Sequence, residues 1–140
     1  MRLMVDANIV LDVLAHRDQW KEASRRICNL AAGKAFELFV SAHSVTTIHY
    51  IVRKLSDQAK AGVALSWLIA HFNVAANDRT TFMRAKTLDF PDFEDAVVAA
   101  AAESSGCDFI ITRNLRDFVR SPVTPIAPEV FLSQYEHNMK

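Results

Sequence analysis

The sequence predicts an α/β fold with a parallel β-sheet, in a single domain over residues 1–140. Segments with strand and helix patterns alternate along the chain, which is typical of parallel sheets joined by crossover helices. The strand segments are short, continuous apolar runs, as expected for strands covered on both faces. With 140 residues and 51% hydrophobic content, the chain is long enough to bury one core without disulfides.

The N-terminal segments begin with an apolar strand at 3–5, which stops at Asp6. Apolar residues then recur at helical spacing over 9–14 and again over 20–32. Gly33 is a typical C-terminal stop for the second of these helices.

The middle of the chain repeats the same alternation. An apolar strand is predicted at 36–40, and helical periodicity returns over 44–55 and 57–72. A short strand at 73–75 and a short helix at 79–88 follow.

The C-terminal part contains the strongest helix pattern, the alanine-rich segment 94–104, because alanine has the highest helix propensity. A strand is predicted at 107–112. An edge strand is predicted at 123–126, where Pro122 and Pro125 are tolerated. A closing helix is expected over 128–136, followed by a tail that should fray.

Composition excludes several classes of protein. The 16 basic and 16 acidic residues cancel, which argues against a strongly basic protein that coats DNA without sequence preference. No apolar run reaches the length of about 18 residues that a membrane span needs, and Asp6 comes too early for a secretory signal. Cys28 and Cys107 are far apart and are expected as small buried side chains in a reducing compartment. The expected location is the cytoplasm, with no membrane contact.

Two polar clusters follow predicted strands and a third opens the alanine-rich helix, at the carboxyl ends of the strands, where ligands bind in open parallel sheets. If the strands are neighbours, several carboxylates converge and repel one another unless a divalent cation neutralises them. Such an ion can lower the pKa of a bound water and stabilise charge on a phosphodiester. The clusters are Asp6; Asp92, Glu94 and Asp95; and Thr112, Asn114 and Asp117.

Each of these residues also has a purely structural interpretation. Asp92 and Asp95 have the spacing of an N-cap and the third residue of a helix, where acids favour the helix dipole. Asn114 and Asp117 could simply form a turn. Asp12, two helical turns beyond the first strand, fits either a solvated helix position or a group that supports the site.

The segments LMVDANIVLDVL and FPDFEDAVVAAAAESSGCDFIITRNLRDF, with their spacing, closely resemble the PIN domain, in particular the branch with VapC-like toxins of toxin–antitoxin pairs. The resemblance covers essentially the whole chain. It implies a three-layer α/β/α sandwich around a central parallel sheet and a ribonuclease that depends on Mg²⁺ or Mn²⁺. The family's acidic positions fall on Asp6 and Asp95, and its acid or amide after the TR dipeptide falls on Asn114. Asp117 supplies a further carboxylate nearby.

One position departs from the family pattern. PIN nucleases usually carry a Glu early in the helix after the second strand, and Thr47 occupies that position here. Because a threonine hydroxyl is a weak metal ligand, this change puts metal affinity in question. Asp92 or Glu94 could compensate for it.

The expected mechanism is hydrolysis of a phosphodiester in single-stranded RNA. Asp6, Asp95 and Asp117 are expected to bind the metal, and Asn114 completes its coordination, while Thr112 orients a carboxylate or the phosphate. The arginines Arg53, Arg113 and Arg116 flank the predicted site and are candidates for holding RNA phosphates, with a solvated charged surface as the alternative.

The resemblance also implies partners: an RNA substrate, a cognate antitoxin and a second copy of the chain. The homodimer is further suggested by more large apolar side chains than a core of this size needs. They are Trp67, Phe72, Phe82 and Phe131.

Two other functions are compatible with a parallel sheet. A phosphoacceptor receiver domain needs an Asp at the end of a middle strand, and the segment FELFVSAHS offers none. A catalytically weak or silent PIN-like module that only binds a partner is favoured by Thr47.

Overall fold

The computed structural model describes residues 1–135, in which five strands form one sheet between layers of helices. The predicted end of the last helix at residue 136 and the expected fraying of the tail lie outside the described residues. The strands are β1 (Arg2–Val5), β2 (Glu37–Ser41), β3 (Asn73–Ala75), β4 (Phe109–Ile111) and β5 (Thr124–Ile126). The helices are α1 (Ala7–Leu14), α2 (Asp18–Asn29), α3 (Ala42–Leu55), α4 (Gln58–His71), α5 (Arg79–Leu88), α6 (Phe93–Ser104) and α7 (Pro128–Tyr135).

The sheet has the strand order β3-β2-β1-β4-β5, and every neighbouring pair is parallel. The chain therefore builds outward from β1 to β3, and then returns to the other side of β1 to add β4 and β5. This reversal opens a crevice at the carboxyl ends of β1 and β4, where ligands bind in such sheets.

Side chains alternate between the two faces of β1. Leu3 and Val5 pack with the buried faces of α1, α2, α3, α4 and α7, whereas Met4 packs with α5 and α6. Ile111 and Ile110 of β4 divide between the two cores in the same way. The sequence prediction of a three-layer α/β/α sandwich around a parallel sheet is confirmed.

Helix α6 is the most buried helix of the second layer, because its residues 96–102 are all buried. Five of these seven residues are alanines, whose small side chains allow α6 to pack closely against the sheet and α5. This close packing fixes the position of the N-terminus of α6, which carries the acidic residues of interest.

Two predicted elements are shorter or shifted in the structure, and one observed element has no counterpart in the prediction. The strand expected at 107–112 spans only Phe109–Ile111, since the N–H of Cys107 donates to the Ala102 carbonyl at 2.9 Å and so extends the end of α6. The helix expected at 20–32 begins at Asp18 and ends at Asn29, with a 3-10 turn over Leu30–Ala32. A second 3-10 turn, Leu115–Phe118, was not predicted.

The aromatic residues behind the homodimer expectation are mostly core residues. Phe72 and Phe131 are buried, and Trp67 is partly buried with its ring edge-on to Phe72 at 5.7 Å. Only Phe82 is exposed, at 42%. Cys28 and Cys107 are free and buried, as expected. Within residues 1–135 no helix is both long and apolar enough to cross a membrane.

Candidate metal-binding active site

Asp6 lies at the carboxyl end of β1, beside the end of β4. Its N–H donates to the Ile111 carbonyl at 3.0 Å, and its Oδ2 accepts the hydroxyl proton of Thr112 at 2.9 Å. Only 6% of Asp6 is exposed, and this burial raises the pKa of its carboxyl group. The hydrogen bonds from Thr112 and from the first N–H groups of α1, together with the charge of Arg113, oppose the increase. Thr112 therefore orients a carboxylate, one of the two roles predicted for it.

Asp92 and Asp95 both lie at the N-terminus of α6. The Asp92 side chain accepts the N–H of Asp95 at 3.2 Å, so the predicted helix cap is present. The pKa of Asp95 is raised to about 7, first by burial and then by the negative charges of Asp6, Asp92, Asp117 and Glu94. A helix N-terminus ordinarily stabilises a carboxylate, but at Asp95 burial and the four neighbouring carboxylates outweigh that effect.

Asn114 and Asp117 are positioned by the turn that follows β4. The N–H of Asn114 donates to Thr112 Oγ1 at 3.0 Å, and the N–H of Asp117 donates to the Asn114 carbonyl at 3.0 Å. Phe118, the last residue of this 3-10 turn, is completely buried and anchors it to the core. The turn interpretation of Asn114 and Asp117 is thus correct, and the same turn directs both residues into the pocket described next.

A pocket of about 310 Å³ collects most of the predicted site residues. Asp6, Asp95, Asn114 and Asp117 line it, whereas Thr112 lies behind Asp6 and contacts it from the core. The other lining residues are Ala7, Asn8, Leu11, His43, Ser44, Thr47, Ile51, Asp92, Glu94 and Val98.

The donor set of this pocket fits Mg²⁺ or Mn²⁺, which bind carboxylate and amide oxygens. The raised pKa of Asp95 adds to this fit, because a divalent cation would supply the missing positive charge. Among residues 1–135, however, no three His, Cys, Asp or Glu side chains are already arranged around a common metal position.

Thr47 lines the pocket at the position where the family pattern has Glu, and its hydroxyl only reaches the His43 carbonyl at 3.4 Å. Across the pocket, His43 Nε2 lies 3.7 Å from Glu94 Oε1. Asn77 holds this end of α3, since its Oδ1 accepts the His43 N–H at 2.7 Å and the Ser41 hydroxyl at 3.0 Å. Nothing in the sequence pattern points to Asn77, because it lies in a loop outside every motif.

The three predicted RNA-binding arginines lie outside this pocket. Arg53 is exposed near the end of α3, and Arg116 is exposed on the turn after β4. Arg113 instead forms an ion pair with Asp12, and its guanidinium lies 4.2 Å from the centre of the Trp20 ring. Only 19% of the Arg113 side chain is exposed.

Asp12 is completely buried, so a solvated position for it is excluded. Besides Arg113, its Oδ2 accepts the Ser24 hydroxyl at 2.6 Å, and Arg17 Nη1 lies 3.9 Å from its Oδ1. The Asp12 cluster, defined as Asp12, Arg17, Ser24 and Arg113, ties α1 and α2 to the segment that follows β4.

Comparison with known proteins agrees with this geometry. A family model described as the PIN domain matches residues 2–116. No curated protein matches the chain.

Solved structures of toxin–antitoxin proteins share the fold. VapC20 from Mycobacterium tuberculosis, a toxin that cleaves the sarcin-ricin loop, has a TM-score of 0.71 and 16% identity, and the match covers 90% of this chain and 99% of that one. A chain of VapBC2 from Rickettsia felis bound to a promoter DNA fragment has a TM-score of 0.69 and 16% identity, with 91% and 98% covered. A toxin–antitoxin complex from Klebsiella pneumoniae has a TM-score of 0.68 and 22% identity, and the match covers 90% of this chain and 97% of that one.

Proposed function

The chain belongs to the PIN domain family, and from this premise we propose that it is a metal-dependent ribonuclease that hydrolyses phosphodiesters in single-stranded RNA. The observation that carries the proposal is the pocket lined by carboxylates from the end of β1, the N-terminus of α6 and the turn after β4, whose negative charges add to burial in raising the pKa of Asp95. Such a cluster costs stability in the metal-free protein, and a bound divalent ion would relieve the repulsion.

Asp6, Asp95 and Asp117 are the residues that would hold Mg²⁺ or Mn²⁺, with Asn114 completing the set. When bound, the ion supplies positive charge that lowers the pKa of a water molecule and stabilises the charge developing on the phosphodiester. Thr112 fixes the Asp6 carboxylate through its 2.9 Å hydrogen bond, and Asp92 fixes the backbone of Asp95 through the helix cap. Arg53 and Arg116 are exposed cations that would hold flanking phosphates.

The test is cleavage of labelled single-stranded RNAs by the purified protein in Mg²⁺, in Mn²⁺ and in EDTA. We expect cleavage only with metal and its loss in Asp6→Asn. Asp18→Asn removes an exposed carboxylate from the first turn of α2, away from the pocket, and should cleave like the parent. Cleavage that persists in EDTA or in Asp6→Asn would disprove this site.

A silent PIN-like module that only binds a partner is the second candidate, and Thr47 is the observation that favours it. Metal titration separates the two candidates. The silent module predicts no change in thermal stability when Mn²⁺ is added, and no cleavage of any RNA in the panel.

We propose further that the chain is the toxin of a toxin–antitoxin pair and acts in the cytoplasm as a homodimer. The support is the family and the fold shared with toxin–antitoxin structures. Co-expression of the product of an adjacent small gene should relieve growth inhibition by this chain and yield a copurifying complex. Sedimentation that gives a strict monomer at micromolar concentration would contradict the homodimer.

A further inference from the structure

A second cavity, of about 320 Å³, opens beside the acidic pocket and shares Asp117 with it. Its other walls come from the loop between α5 and α6 and from the end of the turn after β4. They are Asp89, Phe90, Pro91, Arg116, Val119 and Arg120. The cavity thus combines apolar surface with two guanidinium groups, next to the proposed site of hydrolysis.

The α5–α6 loop is held in shape at this cavity. Asp89 ends α5 in the left-handed region, with φ of 56° and ψ of 52°. Arg120 Nη1 donates to the Asp89 carbonyl at 3.1 Å and to its Oδ2 at 2.7 Å. The ring of Phe90 packs edge-on against Phe118 at 5.7 Å, and Phe118 is completely buried. A preformed cavity can bind a ligand at little cost in conformational entropy.

Two residues of the cavity have exposed side chains whose apolar surface or charge is not matched by another residue of the described chain. Val119 is 77% exposed, the largest exposure among the large apolar side chains described in residues 1–135. Arg116 is exposed, and within that range it has no ion pair or side-chain hydrogen bond, whereas Arg120 is paired with Asp89. A ligand with an apolar face and a negative charge would satisfy both Val119 and Arg116.

We propose that this cavity binds the nucleotide adjacent to the scissile phosphate, with its base against Phe90 and Val119 and its phosphate on Arg116. This inference rests on the proposed function, because Asp117 lines both cavities, so a strand whose scissile phosphate lies in the acidic pocket would extend into the neighbouring cavity. An unpaired nucleotide carries both required features, an aromatic face and a phosphate, and bases commonly pack on exposed apolar and aromatic side chains in this way.

The base contact is tested with Val119→Glu, which places a negative charge on the apolar wall. The matched control is Val63→Glu, because Val63 on α4 is similarly exposed, at 71%, and does not line either cavity. Binding is measured in EDTA with short single-stranded RNAs that carry 2-aminopurine at successive positions. We expect Val119→Glu to bind about tenfold more weakly and to lose the fluorescence quenching seen at one position. Val63→Glu should match the parent.

The phosphate contact is tested with Arg116→Ala, using Lys34→Ala as a control. Lys34 is exposed and precedes β2, at the amino ends of the strands, whereas Arg116 follows the carboxyl end of β4. Loss of one phosphate contact to single-stranded RNA should reduce the slope of log K against log salt by about 0.7. Lys34→Ala should leave the slope unchanged. An unchanged slope in Arg116→Ala would overturn the assignment of the phosphate.

Failure of the cavity proposal can be told apart from failure of the proposed function. If the parent cleaves RNA and Val119→Glu binds it as tightly as Val63→Glu does, the cavity proposal is overturned and hydrolysis stands. If RNA is bound with quenching that depends on Val119 but is never cleaved, hydrolysis fails and the cavity proposal stands. A change in sedimentation of Val119→Glu without a change in RNA affinity would identify a protein interface and overturn the proposal.

Discussion

Asp6 is the N-cap of α1 and Asp12 lies within the same helix, six positions later; both are buried, but their carboxylates have opposite electrostatic surroundings. Asp12 is surrounded by the cations Arg17 and Arg113 and by the Ser24 hydroxyl. Asp6 accepts a hydrogen bond from the Thr112 hydroxyl and faces a pocket lined by other carboxylates. A buried carboxylate paired inside the protein stabilises the scaffold, whereas one grouped with like charges needs a cation from outside.

The largest expected change in the free energy of unfolding follows from a substitution in the Asp12 cluster. Arg113→Met leaves the Asp12 charge buried without its main partner and should lower the free energy of unfolding by about 3–5 kcal/mol. Urea unfolding measures the loss. Arg116→Ala, an exposed arginine three residues later, should change stability by less than about 0.5 kcal/mol.

Removing the charges of both Asp12 and Arg113 tests whether the loss in Arg113→Met comes from the unpaired buried carboxylate. The double variant Asp12→Leu/Arg113→Met should recover a large part of the loss, because an apolar pair often replaces a buried ion pair without penalty. If Arg113→Met alone costs less than about 1 kcal/mol, Asp12 is not held by this ion pair and the contrast with Asp6 fails.

The second effect is the response of the acidic pocket to metal. Mn²⁺ at about 100 times its Kd should stabilise the parent by about 2.7 kcal/mol, because the ion binds only the folded state. Asp6→Asn should lose this gain, and Asp18→Asn should keep it. Thermal melts with and without Mn²⁺ measure it, and a gain that survives in Asp6→Asn would rule out Asp6 as a ligand.

The contrast between the two carboxylates also shows what the sequence could predict. Asp6 is recognisable because it follows a short apolar strand, and α6 because its segment is rich in alanine, which has the highest helix propensity. These are local patterns. The pairing of Asp12 with Arg113 joins residues 101 positions apart, so no local pattern predicts it.

Other features were missed for the same reason. The 3-10 turn Leu115–Phe118 forms because Phe118 reaches the second core, and Asn77 holds α3 from a loop 34 positions beyond His43. Neither contact leaves a periodic pattern in the sequence. The cavity beside Asp117 likewise depends on Arg120 reaching back to Asp89, which only the fold brings together.

The third effect is a pH dependence of the metal-free protein. The pKa of Asp95 is about 7 in the folded state, against an ordinary value of 3.8, so the folded state binds more protons than the unfolded state between these pH values. Stability in EDTA should therefore fall as pH rises from about 4 to 7. This difference in the pKa of Asp95 corresponds to a change of at most about 4 kcal/mol in the free energy of unfolding. Because the carboxyl group is partly exposed, screening by water reduces the expected change to about 1–2 kcal/mol.

Asp95→Asn removes this dependence, because its amide does not titrate. In EDTA the variant should be more stable than the parent at pH 8 and close to it at pH 4, when both are compared by urea unfolding. A variant less stable than the parent at pH 8 would mean that the favourable contact of Asp95 with the helix dipole outweighs the repulsion within the pocket.

The smallest expected change in stability distinguishes two aspartate N-caps, Asp78 of α5 and Asp92 of α6. Asp78 caps α5 by accepting the Thr81 N–H at 3.0 Å, and this bond lowers its pKa, whereas Asp92 makes the equivalent bond to Asp95 inside the acidic pocket. Asp78→Ala should lose the full benefit of its cap. Asp92→Ala should lose a similar cap, worth about 1 kcal/mol, but regain part of it by relieving repulsion on Asp95. Asp92→Asn keeps an oxygen for the cap and removes the charge, so it should be at least as stable as the parent in EDTA at pH 8. If both Asp92 variants lose as much stability as Asp78→Ala, Asp92 is only a cap and adds no unfavourable charge to the pocket.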